Sequence, residues 1–467
     1  MIKRNIGKLI IYELNEVPIK VLKKFISDNP RSNISYLCNK GFLRTTFTTD
    51  EGELHPWSTW PTVHRGVNNN VHQIKFINQS LNCSKNWPPI WEELIKNKIS
   101  VGIFGSLQSY PPIKNDLVKF YLPDTFAPSS DAIPKKIQDF QDFNLKLTSQ
   151  NKAISRAINL KDYIKFLKLF IKGNFKIKST FKVFLNIFSE IINKKNKSLR
   201  SLMQPILGFD IYLKLLKNQK PDFSTFFTNH VAGVMHRYWK YTFPEDFDDS
   251  TITKNNFHNN SIAKAMQIAD DQIGELIKFC DKTNYELWII SSMGQEAIKR
   301  DNDFPEIFVG DINKILKAVE LNPKNYKLLP AMQPDLCISC KDDFSLTQLS
   351  EKIKNIRDGN GNIIFSPRYR NDGNALNISI KHSFIAYRDR KFYVKEKVLN
   401  DNELNIEFIK RDIGTGYHCK EGIYIGYGKR TDLLFKSYDP GEIDTRDFFI
   451  KVKEFFDVKS NFNYENE

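Results

Sequence analysis

Short apolar runs alternate with amphipathic runs along most of the chain, and few fold classes accommodate that pattern. We predict strands at four runs that end in polar or small residues: Lys8–Leu14, Ser100–Gly105, Phe223–Asn229 and Leu287–Ser291. We predict helices at Ile19–Ser27, Ile90–Asn97, Asn260–Asp281 and Thr445–Phe456. Such alternation is typical of an α/β fold, in which helices flank a central, mostly parallel sheet.

The carboxyl ends of these strands are the expected place for a functional site, because ligands of open α/β sheets bind there. That edge would hold Asn15, the pair Asn229-His230 and the pair Ser292-Met293. We expect five segments along the chain. They are a first part of the core (1–134), a basic helical insertion (135–220), a second part of the core (221–310), a small α+β cap region (311–412) and a last part of the core (413–467).

The composition is that of a globular protein in a reducing compartment. The 467 residues are 41% hydrophobic and 26% charged, which excludes disordered and fibrous proteins. Six cysteines are too few for a disulfide scaffold, and we interpret Cys337 and Cys340 as core thiols. The run Leu9–Tyr12 is too short for a signal peptide, and no run approaches the ~18 apolar residues of a membrane span. We therefore expect a soluble, cytoplasmic protein.

Most of the net charge lies in one segment. The chain has 69 Lys+Arg and 54 Asp+Glu, a net charge of +15, and residues 151–220 contribute 16 basic and three acidic residues, or +13. One helix is predicted to end at Gly173-Asn174 and to carry a lysine face made of Lys161, Lys165, Lys168 and Lys172. A second, more apolar run is Phe181–Ile192.

Three interpretations of this basic segment are open. It is a helical insertion with a solvated lysine face, which is what charge runs usually are. Alternatively, it makes peripheral contact with an anionic membrane, at the inner face of the membrane. Binding to nucleic acid is the least favoured interpretation, because no recognition module accompanies the charge.

Three histidines follow apolar runs or stand beside a glycine: His230, His236 and His418. Imidazole is a common zinc ligand, and three protein ligands with one open position suit a catalytic zinc ion. Spacing alone does not distinguish these residues from ordinary hydrogen-bonded histidines.

Residues 58–74 carry a longer motif. Ser58-Thr59-Trp60-Pro61-Thr62-Val63-His64-Arg65-Gly66-Val67-Asn68, followed by His72-Gln73-Ile74, resembles the nucleophile block of the type I phosphodiesterase/nucleotide pyrophosphatase group, within the alkaline phosphatase superfamily. Four further blocks resemble that group in the same order. They are Asn15-Glu16-Val17-Pro18 (its D-G-x-P turn), Phe226–Trp239 (D-x-x-x-H-x-x-W), Ile289-Ile290-Ser291-Ser292-Met293-Gly294 (S-D-H-G) and Gly416-Tyr417-His418 (G-x-H).

The resemblance implies an alkaline-phosphatase-like fold and phosphoryl chemistry at two zinc ions. By the same resemblance Thr59 is the nucleophile, and its alkoxide forms a phosphothreonine. His236 and His418 would hold the metal ion that binds the phosphoryl oxygens, and His230 or Asn229 falls near an aspartate of the group.

The chain departs from the group at residues that would bind one of the two metal ions. Asn15 replaces the first aspartate, and Ser292-Met293 replaces an Asp-His pair. An amide, a hydroxyl and a thioether are poor zinc ligands, so we expect one zinc ion, although two are not excluded. Glu13 shares a strand face with Asn15 by the period of two and is a candidate for a compensating carboxylate, as are Glu16 and Glu53.

Two functional hypotheses follow. In the first, a single zinc ion on His230, His236 and His418, with Asn15 and Asn229 as further candidate ligands, supports hydrolysis or transfer at a phosphodiester or related phosphate ester. Glu13 then acts as the base for Thr59. In the second, the chain is an inactive binding or scaffolding protein with the same fold.

The substrate is not readable from the sequence. Candidate substrate contacts are Arg65, His55, Arg237 and Ser292, and arginine suits phosphate because it binds oxygen pairs bidentately. Nucleotides, lipid head groups and saccharide intermediates are all compatible. The basic helices favour a lipid-linked or membrane-proximal substrate. Oligomeric state is not predicted.

Overall fold

The computed structural model describes residues 7–77, 79–149, 175–193, 196, 200–247, 257–299, 305–329, 331–332, 334–370, 373, 375–409, 414–438 and 441–459. The predicted helix with Lys161, Lys165, Lys168 and Lys172 and its end at Gly173-Asn174 lie outside these residues.

An eight-stranded sheet forms the centre of the molecule. Its strands, in spatial order, are β19 (Ile443–Asp444), β2 (Phe42–Phe47), β18 (Glu421–Tyr427), β6 (Tyr285–Ile290), β1 (Lys8–Leu14), β5 (Phe223–Thr228), β3 (Val101–Phe104) and β4 (Val118–Leu122). The pairs β6–β1, β1–β5, β5–β3, β3–β4 and β19–β2 are parallel, whereas β18 is antiparallel to both of its neighbours. The sheet therefore confirms the predicted α/β class with a mostly parallel sheet.

Helices flank both faces of this sheet and also occur beyond it. The described helices are Ile19–Asp28, Asn33–Lys40, Pro56–Arg65, Asn69–His72, Ile90–Lys96, Gln138–Ser149, Ile177–Ile192, Met203–Gln219, His230–Thr242, Ser261–Cys280, Ile312–Ala318, Asp343–Ile353, Phe384–Asp389, Asp401–Leu404, Lys429–Phe435 and Asp447–Phe455. Within the described ranges, no helix is both long enough and apolar enough to cross a bilayer.

Alternate residues of β1 pack on opposite faces of the sheet, as the period of two requires. Ile10, Tyr12 and Leu14 join a cluster that includes the helices Met203–Gln219, His230–Thr242 and Ser261–Cys280. Leu9 and Ile11 join a second cluster, on the side of the helices Pro56–Arg65 and Asp447–Phe455. The odd-numbered residues after Ile11 therefore face the helix that carries Thr59.

The remaining strands form smaller sheets, most of them in the predicted cap region. They are β7 (Gly294–Ala297), β8 (Glu306–Val309), β9 (Tyr326–Leu329), β10 (Leu336–Cys340), β11 (Ile356–Arg357), β12 (Phe365–Tyr369), β13 (Ala375–Ile380), β14 (Lys391–Val394), β15 (Lys397–Asn400), β16 (Ile406–Ile409) and β17 (Gly416–Cys419). A third hydrophobic cluster is formed by buried side chains from the part of the sequence between residues 307 and 406. β17 pairs with β7, and this two-stranded ladder lies beside the candidate site.

Candidate metal centre

The turn after β1 brings Asn15 and Glu16 to the carboxyl edge of the sheet. Glu16 is buried and has a φ of 60°, a left-handed conformation that costs residues other than glycine about 1 kcal/mol or more. The position corresponds to the glycine of the D-G-x-P turn that this segment resembles. A buried carboxylate in such a backbone conformation is typical of functional sites.

Glu16 faces two histidines from distant parts of the chain. Its Oε2 lies 3.0 Å from Nε2 of His236 and 3.4 Å from Nε2 of His418. His236 lies on the helix His230–Thr242, and His418 lies on β17 opposite Gln295 of β7. Three residues that are far apart in the sequence therefore come together in the structure, and their potential ligand atoms all lie within 4.8 Å of one another.

Neighbouring polar groups fix the orientation of this group. Nδ1 of His236 lies 2.9 Å from the carbonyl oxygen of Gly416. A carbonyl oxygen can only accept, so Nδ1 carries the hydrogen and Nε2 is directed at Glu16. Gln295 donates from Nε2 to Oε2 of Glu16 and to the Ala232 carbonyl oxygen. Nε2 of His236 is therefore the ring nitrogen that is available to a metal ion beside Glu16.

The charges of the group are strongly coupled. Burial by itself would raise the pKa of Glu16, but His418 and His236 hold that pKa well below its usual value. Burial by itself would lower the pKa of His418, but the Glu16 carboxylate raises that pKa above its usual value. Glu16 is consequently an anion over the physiological pH range, and it attracts a cation to this position.

The donor set fits zinc. Two imidazole nitrogens and one carboxylate oxygen are the ligands of one class of catalytic zinc sites, which keep a fourth position open. Ligand atoms about 2.0–2.1 Å from a tetrahedral zinc ion are roughly 3.4 Å apart, close to the two measured separations. The His236 side chain is 33% exposed, so the group opens to solvent on that side.

A hydrogen-bond network centred on Asn15 lies where the resemblance would place the second metal ion. Nδ2 of Asn15 donates to Oε1 of Glu16 (2.7 Å) and to Oδ1 of Asn229 (2.6 Å). Oδ1 of Asn15 accepts from Nε1 of Trp60 at 2.7 Å. Both polar atoms of the Asn15 side chain are therefore already hydrogen-bonded, to Glu16, Asn229 and Trp60. This disfavours a second metal ion beside it.

The hydroxyl of Thr59 is enclosed. Its Oγ1 lies 2.8 Å from Oγ of Ser292, and both residues are fully buried. Thr59 lies in the first turn of the helix Pro56–Arg65, which begins at Pro56, a residue type that favours the start of a helix. The predicted nucleophile therefore lies beside the predicted substrate contact Ser292, in a position that solvent does not reach.

Two predicted site residues lie elsewhere. Nδ1 of His230 lies 2.7 Å from the Thr228 hydroxyl and its Nε2 lies 3.0 Å from the Ala265 carbonyl oxygen. Both ring nitrogens of His230 are therefore engaged away from the group of Glu16, His236 and His418, and burial lowers its pKa to about 4. Arg65 is also buried, and its Nη1 donates to the carbonyl oxygen of Trp87. Its guanidinium is therefore held by the fold and does not face the metal group.

Of the other predicted residues, some lie near the metal group and others contact different parts of the fold. Oε1 of Glu13 lies 2.8 Å from Nε2 of His64, so it braces the helix that carries Thr59. Asn229 contacts Asn15, as described above, and Arg237 is exposed next to His236. His55 stacks on Trp57, and its ring centroid lies 5.8 Å from that of His418. His55 is thus the predicted substrate contact that is close to the metal group.

A polar cleft of about 440 Å³ adjoins this side of the site. It is lined by both acidic and basic side chains, among them Glu53, Asp335, Arg368, Lys381 and His382. Glu53 connects the cleft to the metal group, since it accepts from the Tyr417 hydroxyl at 2.6 Å and lies 3.7 Å from Nε2 of His55. Hydrogen bonding to His55 lowers the pKa of Glu53 to about 2, although burial opposes this.

Comparison with known proteins gives structural likenesses only. No family model matches the chain, and no curated protein matches its sequence. Similar solved structures include human and murine ectonucleotide pyrophosphatase/phosphodiesterase 5, each 9% identical over 98% of both chains, with TM-scores of 0.45 and 0.43. Phosphonoacetate hydrolase from Sinorhizobium meliloti 1021 is 12% identical over 96% of both chains, with a TM-score of 0.41. Identities this low leave the chemistry to be argued from the residues of this chain.

Sequence reasoning undervalued Glu16 and missed Gln295. Glu16 was expected only as one of several carboxylates that compensate for Asn15, and Gln295 was not singled out. For Glu16 a signal existed, because it replaces the glycine of the resembled turn and brings a carboxylate next to the lost aspartate. For Gln295 there was none, because its role depends on the pairing of β7 with β17.

We expect Asp50 to stabilise the helix of Thr59. This buried carboxylate accepts from the hydroxyls of Ser58 (2.8 Å) and Thr62 (2.6 Å) and from the backbone N–H of Asn69. Asp50→Ala leaves these donors unpaired and should lower the free energy of unfolding by about 2–4 kcal/mol. Urea unfolding measures this change. Glu51→Ala, at an exposed neighbour, should cost less than about 1 kcal/mol, and an equal cost in both variants would contradict this role.

Proposed function

We propose that the protein hydrolyses phosphate esters, with phosphodiesters as the first substrates to test, at a single zinc ion held by Glu16, His236 and His418. The observation that carries the proposal is the convergence of one carboxylate and two imidazoles on one point. The hydrogen bonds that already engage the Asn15 side chain beside them support one ion rather than two. The order of the five motif blocks, which resembles a phosphodiesterase group, supports the reaction class.

A zinc ion bound there would supply a Lewis acid that polarises a phosphoryl oxygen and stabilises the charge of the transition state. The residues of the chain would do the rest. Gly416 and Gln295 hold His236 and Glu16 in place, which keeps the ligands pre-organised. His55, whose ring lies near that of His418, and the exposed Arg237, which follows His236 in the chain, are the proposed contacts to the phosphate or its leaving group. The cleft beyond Glu53, with both signs of charge, suits a polar leaving group such as a nucleoside, a saccharide or a lipid head group.

Thr59 remains the proposed nucleophile, in line with the motif that it belongs to. Its hydroxyl is bonded to Ser292 and enclosed, so substrate binding must open the helix start near His55 before Thr59 is able to attack. In that geometry Ser292 would orient the Thr59 hydroxyl, and Glu13 would act through His64 on the position of the helix rather than as a direct base. As the bond from Thr59 to phosphorus forms, the bond from phosphorus to the leaving-group oxygen would break, and the proton of the hydroxyl would leave with that oxygen as an alcohol.

We expect Thr59→Ala to lower kcat on bis(p-nitrophenyl) phosphate at least about 1,000-fold in zinc-loaded protein, because the attacking oxygen is lost. Thr59→Ser keeps a hydroxyl at the same place and should retain most of the activity. Release of p-nitrophenol, followed with and without added zinc, measures both. Activity that survives Thr59→Ala and still depends on His418 would remove Thr59 as nucleophile while leaving the zinc hydrolase in place.

A second candidate function is phosphate-ligand binding without turnover. The full burial of Thr59 and the loss of the second metal shell favour it. This function predicts that zinc-loaded protein binds inorganic phosphate but hydrolyses no aryl phosphodiester. It also predicts that Thr59→Ala leaves the Kd for phosphate within about twofold, which isothermal titration calorimetry measures.

A further inference from the structure

The helix Ile177–Ile192 turns a row of large apolar side chains to solvent. Six of them are between 50% and 90% exposed: Ile177, Phe181, Leu185, Phe188, Ile191 and Ile192. They follow one another at spacings of 4, 4, 3, 3 and 1, which puts them on one side of a helix with 3.6 residues per turn. We call these six side chains the apolar face. Soluble proteins seldom expose a contiguous patch of this kind unless it binds something.

The opposite side of the same helix is attached to the fold. Val183 is buried in the main cluster, and Ile187 packs against it. Lys182 lies 3.1 Å from Asp271 and Lys176 lies 2.9 Å from Glu275, both on the helix Ser261–Cys280. The helix is therefore docked by its other side, and the apolar face is not the face that the core requires.

Positive charge surrounds the apolar face along the sequence. Residues 176–200 contain seven basic residues (Lys176, Lys178, Lys182, Lys194, Lys195, Lys197 and Arg200) and one acid, Glu190. Two of the seven, Lys176 and Lys182, form the ion pairs given above. The acid is neutralised, because Arg200 forms an ion pair with it. A helix with an apolar face, in a segment rich in basic residues, is the pattern of helices that lie in the plane of an anionic lipid surface.

We propose that the apolar face inserts into the surface of an anionic lipid membrane, with the helix Ile177–Ile192 parallel to the bilayer. The helix has 16 residues, too few to cross a bilayer. A second copy of the chain is a poorer occupant, because it would bring two segments of charge +13 together. The proposal does not depend on the zinc site or on its activity.

The test is sedimentation of the full chain with vesicles of 70% phosphatidylcholine and 30% phosphatidylserine, beside vesicles of phosphatidylcholine alone. We expect binding to the anionic vesicles at about 50 mM NaCl and release as salt screens the lysines. The double substitution Phe181→Ser/Phe188→Ser should weaken binding at least about tenfold, because two exposed aromatic anchors are lost. Equal binding to both vesicle types, or no binding at low salt, would overturn the proposal.

A matched control is available at two other exposed apolar residues. Phe344 and Leu433 are 72% and 75% exposed on other helices, and Phe344→Ser/Leu433→Ser should leave vesicle binding unchanged. Thermal unfolding of Phe181→Ser/Phe188→Ser should match that of the original chain, since both rings are already in solvent. A clear drop in Tm would mean that the chain itself covers the apolar face. If light scattering shows that the original chain is a dimer and the variant a monomer, the apolar face binds a second copy of the chain. Either of these two results would reject membrane docking.

Discussion

Alanine at position 236 is expected to leave the purified protein almost free of zinc. The original chain should retain about one zinc ion per chain when it is purified without chelator, because Glu16, His236 and His418 supply three ligands. Loss of the His236 imidazole leaves two ligands and should weaken zinc binding at least about 100-fold. Metal content measured by mass spectrometry should therefore fall from about one to below about 0.1 per chain.

His382→Ala is the matched control for this result. Its side chain is 37% exposed and belongs to the cleft beyond Glu53 rather than to the metal group. Zinc content should stay near one in that variant. Two zinc ions in the original chain would show that another residue rebuilds the second shell. Full zinc content in His236→Ala would reject the three-ligand site.

The same site should bind zinc more weakly as the pH falls. A zinc ligand must be deprotonated, so each proton that His418 takes up competes with the metal ion. The Glu16 carboxylate raises the pKa of His418, and competition therefore begins at a higher pH than for an ordinary histidine. Titrations of zinc at several pH values should show the decline, and a zinc affinity that does not change as the pH falls would contradict the role of His418 as a ligand.

Asn15→Asp is expected to destabilise the metal-free protein by about 2–4 kcal/mol, the largest stability effect that we predict for a change of so few atoms. The amide of Asn15 donates to acceptors on Glu16 and Asn229 at 2.7 and 2.6 Å. A carboxylate there has no hydrogen to donate, and it would lie against the buried anion of Glu16. Added zinc should recover part of the loss, because its charge offsets the extra carboxylate.

Asn229→Asp is the control for this change. Asn229 is exposed and accepts from Asn15, so an aspartate there keeps the acceptor and stays hydrated. Its cost should be less than about 1 kcal/mol. Chemical unfolding with and without zinc measures both variants. Equal stability of Asn15→Asp and the original chain would show that the hydrogen bonds of Asn15 do not hold the site together.

The sequence alone determined the class of the fold and the position of its carboxyl edge. The prediction of β1 as Lys8–Leu14 matches the strand, and the helix predicted at Asn260–Asp281 differs from Ser261–Cys280 by one residue at each end. These elements are readable because burial imposes a period of two or 3.6 on the local sequence, whatever the distant contacts are. The same local rule placed Glu13 and Asn15 on one strand face, and both contact the helix of Thr59 through His64 and Trp60.

Only the tertiary structure decided which of these polar residues form a site. His230 and His236 are equally plausible ligands in sequence, yet the first is bonded to Thr228 and Ala265 and the second faces Glu16. His418, 182 residues after His236, reaches the same point through the pairing of β17 with β7. Ligand geometry depends on side-chain directions fixed by packing between distant elements, and no local period carries that information. The sequence therefore determined where the carboxyl edge lies, and the packing determined which side chains meet there.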